Sequence, residues 1–132
     1  MATSMQPERT EDLLVGILAV MALRKRDTLR TSDKVFHQAF GAALKVFKNT
    51  GGDFCDVAES YYPDVVTETY DELNNALIAA ESFNLLRFPN PTYSRLQITM
   101  TPRVAEQLLA PYGEDRQVFE KAADALLEKI RG

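Results

Sequence analysis

Apolar positions along the chain recur mostly with a helical period, broken once by a stretch that alternates with a period of two. The longest apolar run is Leu13 to Leu23, LLVGILAVMAL, with Glu11 and Asp12 ahead of it and Arg24-Lys25-Arg26 behind. This predicts a first helix over 10–26 whose charged ends both suit the helix dipole. The run is broad, not a stripe, so the helix should be nearly surrounded by other elements. Gly16 within it is either a point of close packing or a tolerated glycine. Ser32 caps a second helix, where Val35, Phe36, Ala39, Phe40, Ala43, Leu44 and Phe47 line one face. Lys34, Gln38, Gly41, Lys45 and Lys48 line the other, His37 sits at the edge, and Asn49-Thr50-Gly51-Gly52 is the breaker.

A short helical segment with Phe54, Val57, Ala58 and Tyr61 follows, and Pro63 stops it. The next helix, over 67–83, is capped by Thr67 or Thr69, the latter in capping-box spacing with Glu72. Leu73, Ala76, Leu77, Ala80 and Phe83 form its predicted buried stripe, and Asn84 suits a left-handed end. The period then changes. Leu85-Leu86-Arg87-Phe88 and Tyr93-Ser94-Arg95-Leu96-Gln97-Ile98 read as two strands about the rigid turn Pro89-Asn90-Pro91-Thr92. Thr101-Pro102 opens a helix with Val104, Ala105, Leu108 and Leu109, and Pro111-Tyr112-Gly113 ends it. A last helix over 114–130 carries Val118, Phe119, Ala122, Leu126 and Ile130 on one side. The expected fold is mainly α with a small β-hairpin. The 132 residues, 45% of them hydrophobic, make one domain with a flexible tail over 1–9.

A short helix, a tight connection at Pro63, a longer helix and an immediate hairpin have the form of a helix-turn-helix with a wing. Residues 53–109 resemble the winged-helix domain, most closely the PadR-like and MarR-like transcription regulators. Leu73, Leu77 and Ala80, strand Leu85-Leu86-Arg87, and strand Tyr93 to Thr99 carry the resemblance. It implies a winged-helix-like core flanked by helices 10–26 and 114–130. It implies a small DNA-binding protein that regulates transcription, with helix 67–83 in the major groove and turn 89–92 along phosphates. The polar residues offered for contact are Thr69, Tyr70, Asn74, Asn75, Arg87 and Arg95, with Asn74 or Asn75 suited to adenine.

Charge complicates this reading. Fifteen basic residues face 19 acidic ones, a net of −4, whereas a phosphate-binding protein usually has a basic excess. Residues 61–88 hold Asp64, Glu68, Asp71, Glu72 and Glu81 against Arg87, which also sums to −4. The basic cluster is Arg24, Lys25, Arg26 and Arg30, of which the first three form a candidate phosphate-facing patch. The alternative function is therefore an adaptor that docks a partner protein on Glu68, Asp71 and Glu72 and binds no nucleic acid.

Chemistry is sparse. One cysteine, Cys55, and one histidine, His37, exclude an internal disulfide and argue against a zinc site or a Cys–His nucleophile. Gly51-Gly52 lacks the lysine of a phosphate loop, and the paired carboxylates Asp71-Glu72 and Glu114-Asp115 sit in first helical turns. The chain is read as non-enzymatic, with no metal and no cofactor. Its partners are double-stranded DNA or a protein. An eleven-residue apolar run preceded by acids is neither a membrane span nor a signal peptide, so a cytoplasmic protein is expected. Leu14, Ile17, Leu18, Phe119, Leu126 and Ile130 on the flanking helices are the expected interface of a homodimer.

Overall fold

A computed structural model describes residues 7–26, 28–64, 66, 69–87 and 95–131, and for Asp33, Arg95 and Arg131 the backbone alone. The helices are α1 (Thr10–Leu23), α2 (Asp33–Thr50), α3 (Gly52–Ala58), α4 (Asp71–Ser82), α5 (Pro102–Leu109) and α6 (Arg116–Arg131). A small antiparallel sheet contains β1 (Thr28–Arg30), β2 (Leu86–Arg87) and β3 (Arg95–Ile98) in the order β1-β3-β2. The fold is mainly α with a small sheet and flanking helices. Thr67, Glu68, Phe88, the turn 89–92, Tyr93 and Ser94 lie outside the described residues.

Helix α1 is the axis. Leu13, Leu14, Gly16, Ile17, Leu18, Ala19, Val20, Met21 and Ala22 are all buried, and α1 packs against α3, α4, α5, α6 and β3. A Cβ at Gly16 would overlap the Phe119 ring of α6, so the glycine is what lets that ring reach the α1 backbone. Phe119 in turn meets Tyr112 at 4.8 Å, Phe54 at 5.5 Å and Phe47 at 5.7 Å between ring centroids, all edge-on. The expected interface residues are spent here. Leu14, Ile17, Leu18, Phe119 and Leu126 have no exposed surface within one chain, and Ile130 is half-buried, so these apolar side chains are buried inside the chain and do not present an outward face.

Helix ends show where local chemistry decides. Ser32 and Thr101 accept from Val35 N and Val104 N, both at 3.2 Å, as their cap positions predict. The expected tail is anchored over its described part. Pro7 is buried, and the backbone N–H groups of Glu8 and Arg9 both donate to Asp12 Oδ2 at 3.0 and 2.9 Å.

Helix α1 stops three residues earlier than predicted. Lys25 is left-handed (φ 59°), with Lys25 N donating to Ala22 O and Arg26 N to Met21 O, a Schellman close. Arg24-Lys25-Arg26 therefore forms the turn into β1. Asn84 (φ 60°) ends α4 the same way, through Asn84 N to Glu81 O and Leu85 N to Ala80 O. Phe83 falls on the cap of that turn, outside the buried stripe, and is exposed. The predicted helix over 114–130 starts at Arg116, after a 3₁₀ segment Ala110–Asp115 in which Gly113 (φ 60°) provides the kink. Arg116 Nη1 and Nη2 donate to Glu106 Oε1 and Oε2 at 2.8 and 3.1 Å, which ties α6 to α5 and lowers the Glu106 carboxyl. Cys55 is half-buried on α3; its thiol donates to Glu59 Oε1 at 3.0 Å, and that bond, with desolvation, pushes its pKa up.

Two outcomes follow from the core. Gly16→Ala forces Phe119 out of its seat and lowers stability in urea unfolding by about 3 kcal/mol. Adding Phe119→Leu restores roughly 1 kcal/mol of what simple addition predicts. Burial also raises the phenols of Tyr61 and Tyr112, the latter to about 12 from an ordinary 10.0. Folded tyrosine keeps its proton where unfolded tyrosine has lost it. Stability is therefore full below pH 10.0 and falls as pH rises toward 12. Tyr112→Phe reduces that alkaline loss by on the order of 2 kcal/mol, read from unfolding curves across the interval.

Candidate nucleic-acid interface

The sheet has one wet face and one dry face. Register pairs Thr28 with Gln97, Leu29 with Leu96 and Arg30 with Arg95 between β1 and β3. Between β2 and β3 it pairs Leu86 with Ile98 and Arg87 with Gln97. Strand alternation then separates the residues. Leu29, Leu86, Leu96 and Ile98 are buried, while Thr28, Arg30 and Arg87 are exposed and Gln97 is half-exposed. Arg87 Nε donates to Gln97 Oε1 at 3.3 Å, which holds its guanidinium along the sheet. Lys25 and Arg26, both exposed, lead into β1, and Arg24 Nη1 is tied to Asp124 Oδ1 of α6 at 2.6 Å.

Four exposed cations, Lys25, Arg26 and Arg30 from one stretch of sequence and Arg87 from another, thus gather on and beside this sheet, and no carboxylate occupies a described solvent-facing position on it. Strand β1 is the element that sequence reading missed. Thr28-Leu29-Arg30 does alternate polar, apolar, polar, but three residues are too few to register as a period, and β3 is what makes them a strand.

The residues expected at the start of the groove helix are arranged differently. The His37 side chain, fully buried on α2, accepts Tyr70 N–H at Nδ1 (2.9 Å), which leaves the proton on Nε2 for Asn74 Oδ1 (3.1 Å). The Tyr70 ring lies parallel to the imidazole, with 6.2 Å between centroids and 8° between planes. The Thr69 carbonyl accepts Asp64 N–H at 2.7 Å, and Pro63 bridges Tyr70. Helix α4 therefore begins at Asp71, with Tyr70, not Thr69, in the N-cap position. Tyr70 and Asn74 face the core, and the adenine-reading role expected for Asn74 is taken by a bond to His37. Asn75, one position on, is exposed.

Of the expected acidic face, Asp71 is exposed and Glu72 is half-buried. Its Oε1 accepts Tyr62 N–H at 3.3 Å, and its buried Oε2 has no hydrogen-bond partner among the described residues. The exposed face of α4 is completed by Ile78, Glu81 and Ser82.

Beside the His37 network lies an open cleft of about 460 Å³ whose lining includes Lys45, Asp64, Tyr70 and Lys129. Among the described residues no three His, Cys, Asp or Glu side chains are placed to hold a metal ion, and no helix is long and apolar enough to cross a membrane. Comparison with known proteins gives no match to a family model, to a curated protein or to a solved structure.

The two adjacent asparagines should separate cleanly. Asn74→Ala leaves a buried imidazole N–H without its acceptor and lowers stability by about 1–3 kcal/mol in urea unfolding. Asn75→Ala, on the exposed face, stays within about 0.5 kcal/mol of wild type.

Proposed function

We propose that the chain is a small winged-helix-like DNA-binding protein that regulates transcription and meets duplex DNA with the solvent face of its sheet. The observation that carries this reading is the gathering of Lys25, Arg26, Arg30 and Arg87 on and beside that sheet, with Arg95 opposite Arg30 in the ladder. Guanidinium groups pair with phosphate in a planar, two-bond geometry, and a rigid ladder presents them at fixed spacing. Phosphate contact requires only such a local patch, because charges farther away than about 10 Å are screened at ordinary salt. A net charge of −4 is therefore compatible with binding.

The same reasoning keeps α4 out of the groove. A helix N-terminus attracts phosphate through its free N–H groups, but here Asp71 and Glu72 occupy the first turn. Pressing those carboxylates against a polyanion costs several kcal/mol, on the order found for like charges at interfaces. Binding is thus dominated by the backbone, with low sequence preference. A cytoplasmic location, where DNA is at hand in a cell without a nucleus, fits this role.

Titration with mixed-sequence duplex fragments tests the reading. Four phosphate contacts give an affinity that falls about a hundredfold between 50 and 200 mM salt. Arg30→Ala with Arg87→Ala removes about two contacts and halves the salt slope, while Asn75→Ala changes nothing. Absence of binding at low salt, or an unchanged slope in the double variant, rejects the proposal.

A further inference from the structure

Helix α4 presents a second surface with the opposite character. Asp71, Asn75, Ile78 and Ser82 follow one another along its exposed line, with Glu81 at the edge and Phe83 on the cap. Ile78 is 63% exposed and Phe83 75%, two large apolar side chains on an otherwise polar helix. Across 69–86 the chain holds Asp71, Glu72 and Glu81 and no Lys or Arg. From Ile78 to Phe83 the helix rises about 7.5 Å, a span that one short segment of another chain covers.

We infer that this face docks a partner protein through a basic amphipathic segment, whose apolar side chains cover Ile78 and Phe83 while its Lys or Arg residues meet Asp71 and Glu81. Charge complementarity selects the occupant. Nucleic acid and an anionic membrane are both repelled by the exposed carboxylates of Asp71 and Glu81, which lie in a stretch of sequence with no Lys or Arg. A second copy offers no match: in a two-fold contact it brings the same acids, and the described side chains on its exposed sheet face are polar and cannot shield Ile78 and Phe83. Since α4 and the sheet face are different surfaces with different partners, a regulator so built holds DNA on one and a second protein on the other.

The test uses the full chain, isotope-labelled for amide chemical shifts. It is titrated with a synthetic helical peptide bearing a leucine stripe flanked by lysines, with the same peptide carrying glutamates, and with the mixed-sequence duplex. The lysine peptide is expected to shift Asn75, Ile78, Glu81 and Phe83 and to bind at least about tenfold more tightly than the glutamate peptide. Ile78→Ser with Phe83→Ser should weaken it by about tenfold while the circular dichroism spectrum and duplex binding stay as in wild type. Asp71→Lys with Glu81→Lys should reverse the peptide preference. Equal binding of both peptides, shifts confined to other surfaces, or no peptide binding overturns the inference and leaves the sheet reading intact. Duplex-induced shifts on α4 overturn it as well, by making that helix a nucleic-acid surface. Concentration-dependent self-association abolished by Ile78→Ser overturns it in favour of a second copy.

Discussion

The seating of the Phe119 ring on the backbone of α1 at Gly16 is the contact on which the remaining architecture depends. It brings α6 so close to α1 that Phe47, Phe54 and Tyr112 close round the same ring and gather α2, α3 and the 3₁₀ segment onto one side. Helices α4 and α5 pack elsewhere against α1. With α1 enclosed, the outer elements have one buried and one wet side each. The chain's polar chemistry is then a matter of what each element shows outward.

Outwardly, charge is sorted. The sheet and the turn before it show cations; α4 shows carboxylates and two bare apolar side chains. A total of −4 averages these two surfaces and describes neither. The network between α2 and α4 keeps the second surface in place. One imidazole satisfies the N–H of the α4 cap residue and the amide oxygen of Asn74, fixing both the start of the helix and its rotation about its own axis. That rotation decides which of two neighbouring asparagines faces inward.

What sequence could tell followed the range of the forces involved. The caps at Ser32 and Thr101, the left-handed end at Asn84 and the enclosure of α1 rest on local bonding or on bulk apolarity, and all were legible. The beginning of α4 was not, because Tyr70 is held by a ring on α2, 33 residues away. Nor was β1, a strand only by virtue of β3. The misplacement of Phe83 has a smaller cause: extending the buried stripe by one step carried it past the Schellman turn, where the helical period no longer applies. At the candidate interface Arg87 was identified from its strand, whereas Arg30, noted only as part of a basic cluster, gains its place from a pairing that no local pattern encodes. The flanking helices were recognised as too apolar to stand alone, but composition did not say that they would satisfy each other.

Cys55 has a consequence of another kind. A chain with one sulfhydryl can form a disulfide only by linking to another molecule, and the attacking species is the thiolate. By accepting the thiol proton's hydrogen bond, Glu59 favours the protonated form and slows that attack. The same short contact that ties residues four apart at the end of α3 thus also lowers the share of thiolate through which copies of the chain would be covalently linked.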